Sequence, residues 1–235
     1  MIIAIDGPSG AGKSTLGKML ARALGLLYID TGAMYRAAAL AVVEAGVDTN
    51  DAAAVAACAQ AAQIELAGEP DRLRVLLDGH DVTEAIRTEQ ITRLSSVIST
   101  IPAVRRDLVR CQREMGARGG VVLDGRDIGT VVFPQADVKF FLTAVPEARA
   151  QRRYEEDKRK EPGLSFDETL ADINTRDRRD STRADSPLAI AADAVVIDTT
   201  ELSVDEVFAR MMEVIRERVD KSKVQSPMSN VPSQP

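Results

Sequence analysis

Apolar residues in this chain gather in short unbroken runs. Ile2-Ile3-Ala4-Ile5, Leu26-Leu27-Tyr28-Ile29, Val121-Val122-Leu123, Val138 to Leu142 and Ala194 to Ile197 are brief and rich in β-branched or aromatic side chains. Such runs predict strands buried on both faces, as in a parallel sheet. Between them the apolar positions recur at helical spacing. Helices are expected over Lys13 to Leu24 with Gly25 as C-cap, Thr31 to about Ala45 with Thr31 as N-cap, and Asp51 to Ala62. Further helices are expected over Pro102 to about Arg118, Val145 to Lys160, Phe166 to Arg183 and Ser203 to Val219. Strands alternating with helices predict a three-layer α/β fold: five parallel strands with helices on both faces.

The alternation fails once. Ile64 to Ala67 and Leu73 to Leu77 flank the turn cluster Gly68-Glu69-Pro70-Asp71, which reads as a hairpin. Residues 63–99 are therefore expected to form an insert, a small antiparallel sheet followed by a helix from Thr88, within a core of residues 1–62 and 100–220. Pro162-Gly163 breaks two charged helices, marking a helical flap at about residues 150–165. Residues 221–235, rich in Ser, Pro and Gln, read as a disordered tail.

Composition narrows the picture. Of 235 residues, 45% are hydrophobic and 28% charged, which predicts a packed core. No apolar run is long enough to span a bilayer, and the strand-like start shows no signal peptide. Cys58 and Cys111 fit neither a metal spacing nor a disulfide framework, so a cytoplasmic protein is expected. A net charge of −6 and 3% aromatics argue against nucleic-acid binding. The single histidine, His80, sits in what reads as a solvated turn, which excludes chemistry built on a histidine pair or a His-containing triad.

The candidate chemistry begins at Gly7-Pro8-Ser9-Gly10-Ala11-Gly12-Lys13-Ser14, a full match to the phosphate-binding loop, set between a strand and a helix. Its glycines free the backbone so that N–H groups converge on phosphate oxygens, and the helix dipole adds to the attraction. Lys13 would reach the β- and γ-phosphates of ATP, Ser14 would ligate Mg²⁺, and Thr15 would assist at the α-phosphate. Asp124 ends an apolar strand and would also bind magnesium, unless it only caps the next turn. Arg126 and Asp127 follow at the carboxyl edge of the sheet, where ligands bind. Arg126 would hold an acceptor phosphate and Asp127 an exocyclic amine; the alternative is a surface ion pair. Thr31, Tyr35 and Arg36 open a helix beside another strand end. Arg176, Arg179, Asp180 and Arg183 share a helix face, suited to a phosphate and a sugar hydroxyl or, equally, to a solvated salt-bridge stripe. Arg149, Arg152, Arg153, Lys158, Arg159 and Lys160 would close over ATP as a flap, or form an exposed helical hairpin.

Five blocks in order carry a resemblance: the loop Gly7 to Thr15, Asp30 to Arg36, Ile86-Arg87-Thr88, Asp124 to Pro134, and Arg176 to Asp180. Together they resemble the bacterial-type cytidylate kinases, which are P-loop nucleoside monophosphate kinases, over about residues 1–219. The resemblance implies transfer of the ATP γ-phosphoryl group to CMP or dCMP, with Mg²⁺, by a monomer. It implies that residues 63–99 belong to the monophosphate-binding part and that the flap is the lid, with Arg153 as a catalytic cation beside Lys13, Arg126 and Asp124. It implies that Ser96, Arg105 and Asp127 read the cytosine ring and that Arg36, Arg126 and Arg183 hold the acceptor phosphate. Arg176 and Asp180 would contact the sugar, with Thr31 and Tyr35 completing the pocket. A GTPase-type switch would need a guanine-reading segment, and the nearest, Asn174-Thr175-Arg176-Asp177, lacks its lysine. A binding module without an acceptor, or a kinase of UMP, AMP or shikimate, remains as an alternative.

Overall fold

The strands form where the apolar runs place them. The computed structural model describes residues 1–158 and 163–224, the last five as helical backbone. Five parallel strands, β1 (Ile2–Asp6), β2 (Leu27–Asp30), β6 (Val121–Gly125), β7 (Val138–Thr143) and β8 (Val195–Asp198), lie in the order β2-β6-β1-β7-β8. Alternate side chains enter two cores. Ala4, Ile29, Val121 and Leu123 pack against α2 (Thr31–Glu44), α3 (Ala52–Ala61) and α5 (Pro102–Gly116). Ile3, Ile5, Tyr28, Val122, Phe140 and Leu142 pack against α1 (Lys13–Leu24) and α8 (Val204–Val224).

The insert holds one strand more than expected. β3 (Ile64–Ala67) and β4 (Arg74–Leu77) pair antiparallel, and β4 pairs with β5 (His80–Asp81). The segment read as a loop around His80 is thus a hairpin, closed by Asp78 and Gly79 at φ 49° and 79°. Asp-Gly is a strong two-residue hairpin signal because both positions need positive φ. His80 itself is exposed, as expected. Thr88 caps α4 (Glu89–Ile98), accepting from the Ile91 N–H at 3.3 Å. Val75, Leu77, Ile86 and Ile98 share the core of Ala37 and Ala38 on α2. The β3–β4 connection reaches the opposite side: Leu73 packs against the core below α1, and Arg22 lies 3.2 Å from Asp71.

Two boundaries are corrected. Asp30, not Thr31, is the N-cap of α2: its carboxylate accepts from the Ala33 N–H at 2.8 Å. Thr31 turns instead to the Asp124 carbonyl, donating at 2.7 Å. The final helix runs to Val224, so the expected tail starts later than Lys221; residues 225–235 lie outside the described residues. The flap helices are α6 (Pro146–Asp157) and α7 (Phe166–Thr182), the latter begun by a Ser165–Glu168 capping box. Arg159, Lys160 and Pro162, assigned to the flap, also lie outside the described residues. Among the described residues no helix is long and apolar enough to cross a membrane.

Candidate active site

A cavity of about 780 Å³ opens at the carboxyl ends of β1, β2 and β6. One wall is the phosphate loop. Gly7 sits at φ 144°, and a Cβ there would meet the Leu142 carbonyl oxygen at 2.0 Å, so the loop can press on β7 only as glycine. Gly10, at φ 77°, also lies against Arg149: a Cβ there would come within 2.9 Å of the Arg149 Cβ and 3.0 Å of its carbonyl oxygen. Lys13 is buried and donates to the Pro8 carbonyl at 2.7 Å. Burial first, then the Arg126 guanidinium, pushes its pKa well below the usual lysine range. Ser9, Gly10, Gly12, Lys13, Ser14 and Thr15 line the cavity. Gly7, Pro8 and Ala11 do not; they shape the loop from behind, and Ala11 is fully buried.

Asp124 is a junction rather than a turn cap. Its carboxylate accepts from Ser14 Oγ at 2.7 Å and from the Tyr28 hydroxyl at 2.8 Å. Burial, with Asp30 alongside, raises its pKa against the pull of Lys13. A hydroxyl and a carboxylate in contact are the hard-oxygen pair that magnesium takes from a protein while substrate oxygens and water fill the rest of its shell. Among the described residues no group of three or more His, Cys, Asp or Glu is gathered to hold a metal alone. The Ser14–Asp124 oxygen pair fits a magnesium ion that shares its shell with phosphate oxygens.

The opposite wall is cationic. Arg126 donates through Nε to Asp180 at 2.7 Å, so the pair spans β6 and α7 and is no surface ion pair. Burial works to raise the Asp180 pKa, but Arg126 and Arg176 outweigh it and hold the carboxyl low. Arg176 lines the same space with its Nε unpartnered; burial, then Arg126, lowers its pKa to about 10. Arg183 reaches Asp127 at 3.8 Å and Asp180 at 3.9 Å. The helix face of Arg176, Asp180 and Arg183 thus turns inward. Arg36 stands across from it, 3.3 Å from Asp30. At the far end Arg105, 2% exposed, is bonded to Asp127, donates to the Ser99 carbonyl at 3.2 Å and lies 5.6 Å from the centre of the Tyr35 ring. The Tyr35 hydroxyl is buried without a partner, and burial takes its pKa to about 12. Ser96 and Thr31 complete this end of the lining.

The flap cations separate into different roles. Arg153 lines the cavity and pairs with Asp157 at 2.5 Å. Arg152 also borders the cavity but is tied down: it reaches the Gly10 carbonyl at 3.4 Å, donates to Thr199 Oγ1 at 3.0 Å and is bonded to the Thr199 carbonyl. Arg149 is no flap residue. It is buried beneath the loop, donating to the Ser9 carbonyl at 3.1 Å, the Ala144 carbonyl at 2.8 Å and both oxygens of Asp177 at 3.1 and 2.6 Å. Lys158 pairs with Glu155.

Sequence reasoning missed several groups. Asp6, at the end of β1, accepts from the N–H groups of Ile128 and Gly129 at 2.8 and 2.7 Å, holding the π-helical turn Ile128–Val132 behind Asp127. Burial, with help from Asp127, raises its pKa to about 6 despite those bonds. Asp6 and Asp30 carry the signal that pointed to Asp124, an acid closing an apolar strand. Leu202, Val204 and Val207 add an apolar stretch to the cavity beside the loop, and nothing in the sequence marked them.

A cleft with one wall made for a phosphate chain and the other studded with guanidiniums defines a P-loop kinase. A gluconokinase from Sinorhizobium meliloti 1021 shares the fold, with a TM-score of 0.50 at 15% identity over 96% of this chain and 97% of that one. The chain belongs to the cytidylate kinase family: the family model described as Cytidylate kinase matches residues 3–217. It is 52% identical, over 95% of each chain, to a protein named Cytidylate kinase from Solibacter usitatus (strain Ellin6076). It is 53% identical to one of the same name from Geobacter sulfurreducens (strain ATCC 51573 / DSM 12127 / PCA), over 93% of this chain and 94% of the relative.

Proposed function

We propose that this chain transfers the γ-phosphoryl group of ATP to CMP or dCMP, releasing ADP and CDP or dCDP. Family membership supports the reaction. The observation that carries it to these residues is the second anion site: Arg36, Arg126, Arg176 and Arg183 line the cavity that the phosphate loop also lines. A protein that only held a nucleoside triphosphate would have no use for it.

The acceptor phosphate already carries a nucleophilic oxygen at neutral pH, so positioning and charge neutralisation do most of the work. Lys13 would lie on the transferring group, and Arg126, with Arg153 at the rim, would meet the charge that spreads in the transition state. Magnesium, when bound at Ser14 and Asp124, would neutralise charge on the β- and γ-phosphates. Asp127 and Ser96 would accept from the cytosine amine and Arg105 would donate to the ring; a uracil carbonyl in place of the amine would leave acceptors unpaired. Arg176 and Asp180 would meet the sugar, while Thr31 and Tyr35 close the pocket. Residues 63–99 would serve as the monophosphate-binding part and about 150–165 as the lid, which keeps water from the γ-phosphate. We further propose a monomer working in the cytoplasm in pyrimidine nucleotide metabolism, without nucleic-acid or membrane partners; the net charge of −6 supports the lack of nucleic-acid binding.

An assay of ADP release with CMP, dCMP, UMP, AMP and shikimate as acceptors tests the reading. CMP and dCMP are expected to give the highest kcat/KM; a preference for another acceptor, or none, refutes it. Lys13→Ala is expected to lower kcat by at least about 10²-fold while CMP binding, followed by calorimetry, is retained.

A further inference from the structure

Ser95 and Ser96 of α4, and Ser99 just past its end, line the acceptor end of the cavity and use their hydroxyls differently. Ser95 Oγ donates to the Thr92 carbonyl at 2.8 Å and Ser99 Oγ to the Ser96 carbonyl at 2.9 Å. Both are spent on backbone carbonyls of the same helix, as helical serines commonly are. Ser96 is held from across the cleft: Arg179 NH1, on α7, stands 2.7 Å from its Oγ. An arginine only donates, so Ser96 Oγ is the acceptor, and its hydroxyl proton and second lone pair stay available to a ligand. Arg179 is not among the residues lining the cavity.

We infer that Arg179 is a positioning residue for the acceptor base, acting through the Ser96 hydroxyl; the inference rests on the reaction proposed above. Two consequences follow from where the bond lies. It turns the Ser96 side chain toward the cleft, and so selects the rotamer in which the hydroxyl meets a base edge. It also joins the two walls of the acceptor pocket, because Arg176 and Asp180 stand within one turn of Arg179 on α7 and Arg183 follows directly at the helix end. The distance between the base-reading hydroxyl and the groups for sugar and phosphate is set by that bond rather than by the drift of two helices. The effect belongs to acceptor binding; ATP, held by the loop, is not involved.

Steady-state kinetics on the full chain test this, with CMP varied and folding checked by thermal melting. Arg179→Met is expected to raise KM for CMP about ten-fold, as loss of a charge-assisted hydrogen bond does, with kcat and KM for ATP each within about three-fold of wild type. Arg179→Lys, which keeps a donor but loses the planar fork, is expected to recover at least half of the loss on a logarithmic scale. In a Ser96→Ala background the further effect of Arg179→Met is expected to shrink below about two-fold, since the partner is gone. An unchanged KM in a folded Arg179→Met protein overturns the inference, as does an undiminished effect in the Ser96→Ala background, which would mean direct contact or a general loss of structure. Should Arg179→Met not fold, Arg179→Lys is compared in the same two backgrounds and decides by the same criterion. A wild-type chain that ignores CMP would refute the proposed reaction itself, a result distinct from normal CMP turnover that Arg179→Met leaves untouched.

Discussion

A carboxylate that ends a buried strand needs partners, and three such acids meet them here in different ways. Asp124 takes hydroxyls, Asp30 caps a helix and faces Arg36, and Asp6 takes two backbone N–H groups. Asp124 was legible because it follows the apolar run and precedes Arg126. The task of Asp6 was not: its partners are more than 120 residues away, and only the sheet order brings β6 beside β1. Its titration has a definite sign. The folded pKa is raised from 3.8 to about 6, so folding favours the protonated form. The stabilisation is fully present below the unfolded value and is lost as pH rises through the folded one. In urea unfolding between pH 4 and pH 7, this group is expected to lower stability by up to about 3 kcal/mol as pH rises. Asp6→Asn is expected to flatten that slope while leaving one N–H poorly paired. An identical pH profile in the two proteins refutes the assignment.

At the scale of elements, helical spacing gave α7 its boundaries and its charged stripe, but not what the stripe faces. Arg176, Asp180 and Arg183 turn to the cavity, Arg179 to α4, and Asp177 to Arg149 on α6. In the sequence Asp177 is one acid among many, and an ion pair spanning 28 residues leaves no local trace. Thr31 shows a related limit: a threonine at a helix start reads as a cap, yet the residue before it does the capping and frees Thr31 for Asp124. The Arg149–Asp177 bond makes α6 and α7 the support of the phosphate loop. Arg149→Met strands Asp177 and two loop-side carbonyls, and is expected to cost about 3 kcal/mol in denaturant unfolding and to raise KM for ATP. Adding Asp177→Asn is expected to cost less than the sum of the single changes, because the two groups share one interaction. Full additivity would dissolve the link between these helices and the loop.

For the molecule as a whole, the charge balance runs opposite to the site. The chain carries a net charge of −6, yet Lys13, Arg36, Arg126, Arg153, Arg176 and Arg183 are drawn to one cavity. Holding them together without an anion costs stability, and Arg176 shows it most openly. Its pKa falls from the usual arginine range to about 10, so folding shifts the balance toward the neutral form and the penalty is fully present at pH 7. Arg176→Met, which keeps the aliphatic stem, is expected to stabilise the ligand-free protein by about 1 kcal/mol while weakening acceptor binding. Thermal melts with and without CMP measure both; a lower melting temperature without ligand counts against the account. The core was readable from the chain almost to the residue, since buried parallel strands announce themselves as apolar runs, whereas the pairings across the cleft depend on which strands lie side by side. That order also bears on synthesis. β1 is made first of the five strands but sits in the middle, between partners that begin at Val121 and Val138. At about 5–20 residues per second, Ile2 to Ile5 leave the ribosome many seconds before either neighbour exists. During that interval the most apolar strand of the sheet has no native edge to join, and the nascent chain is expected to lean on chaperones until residues beyond 140 emerge.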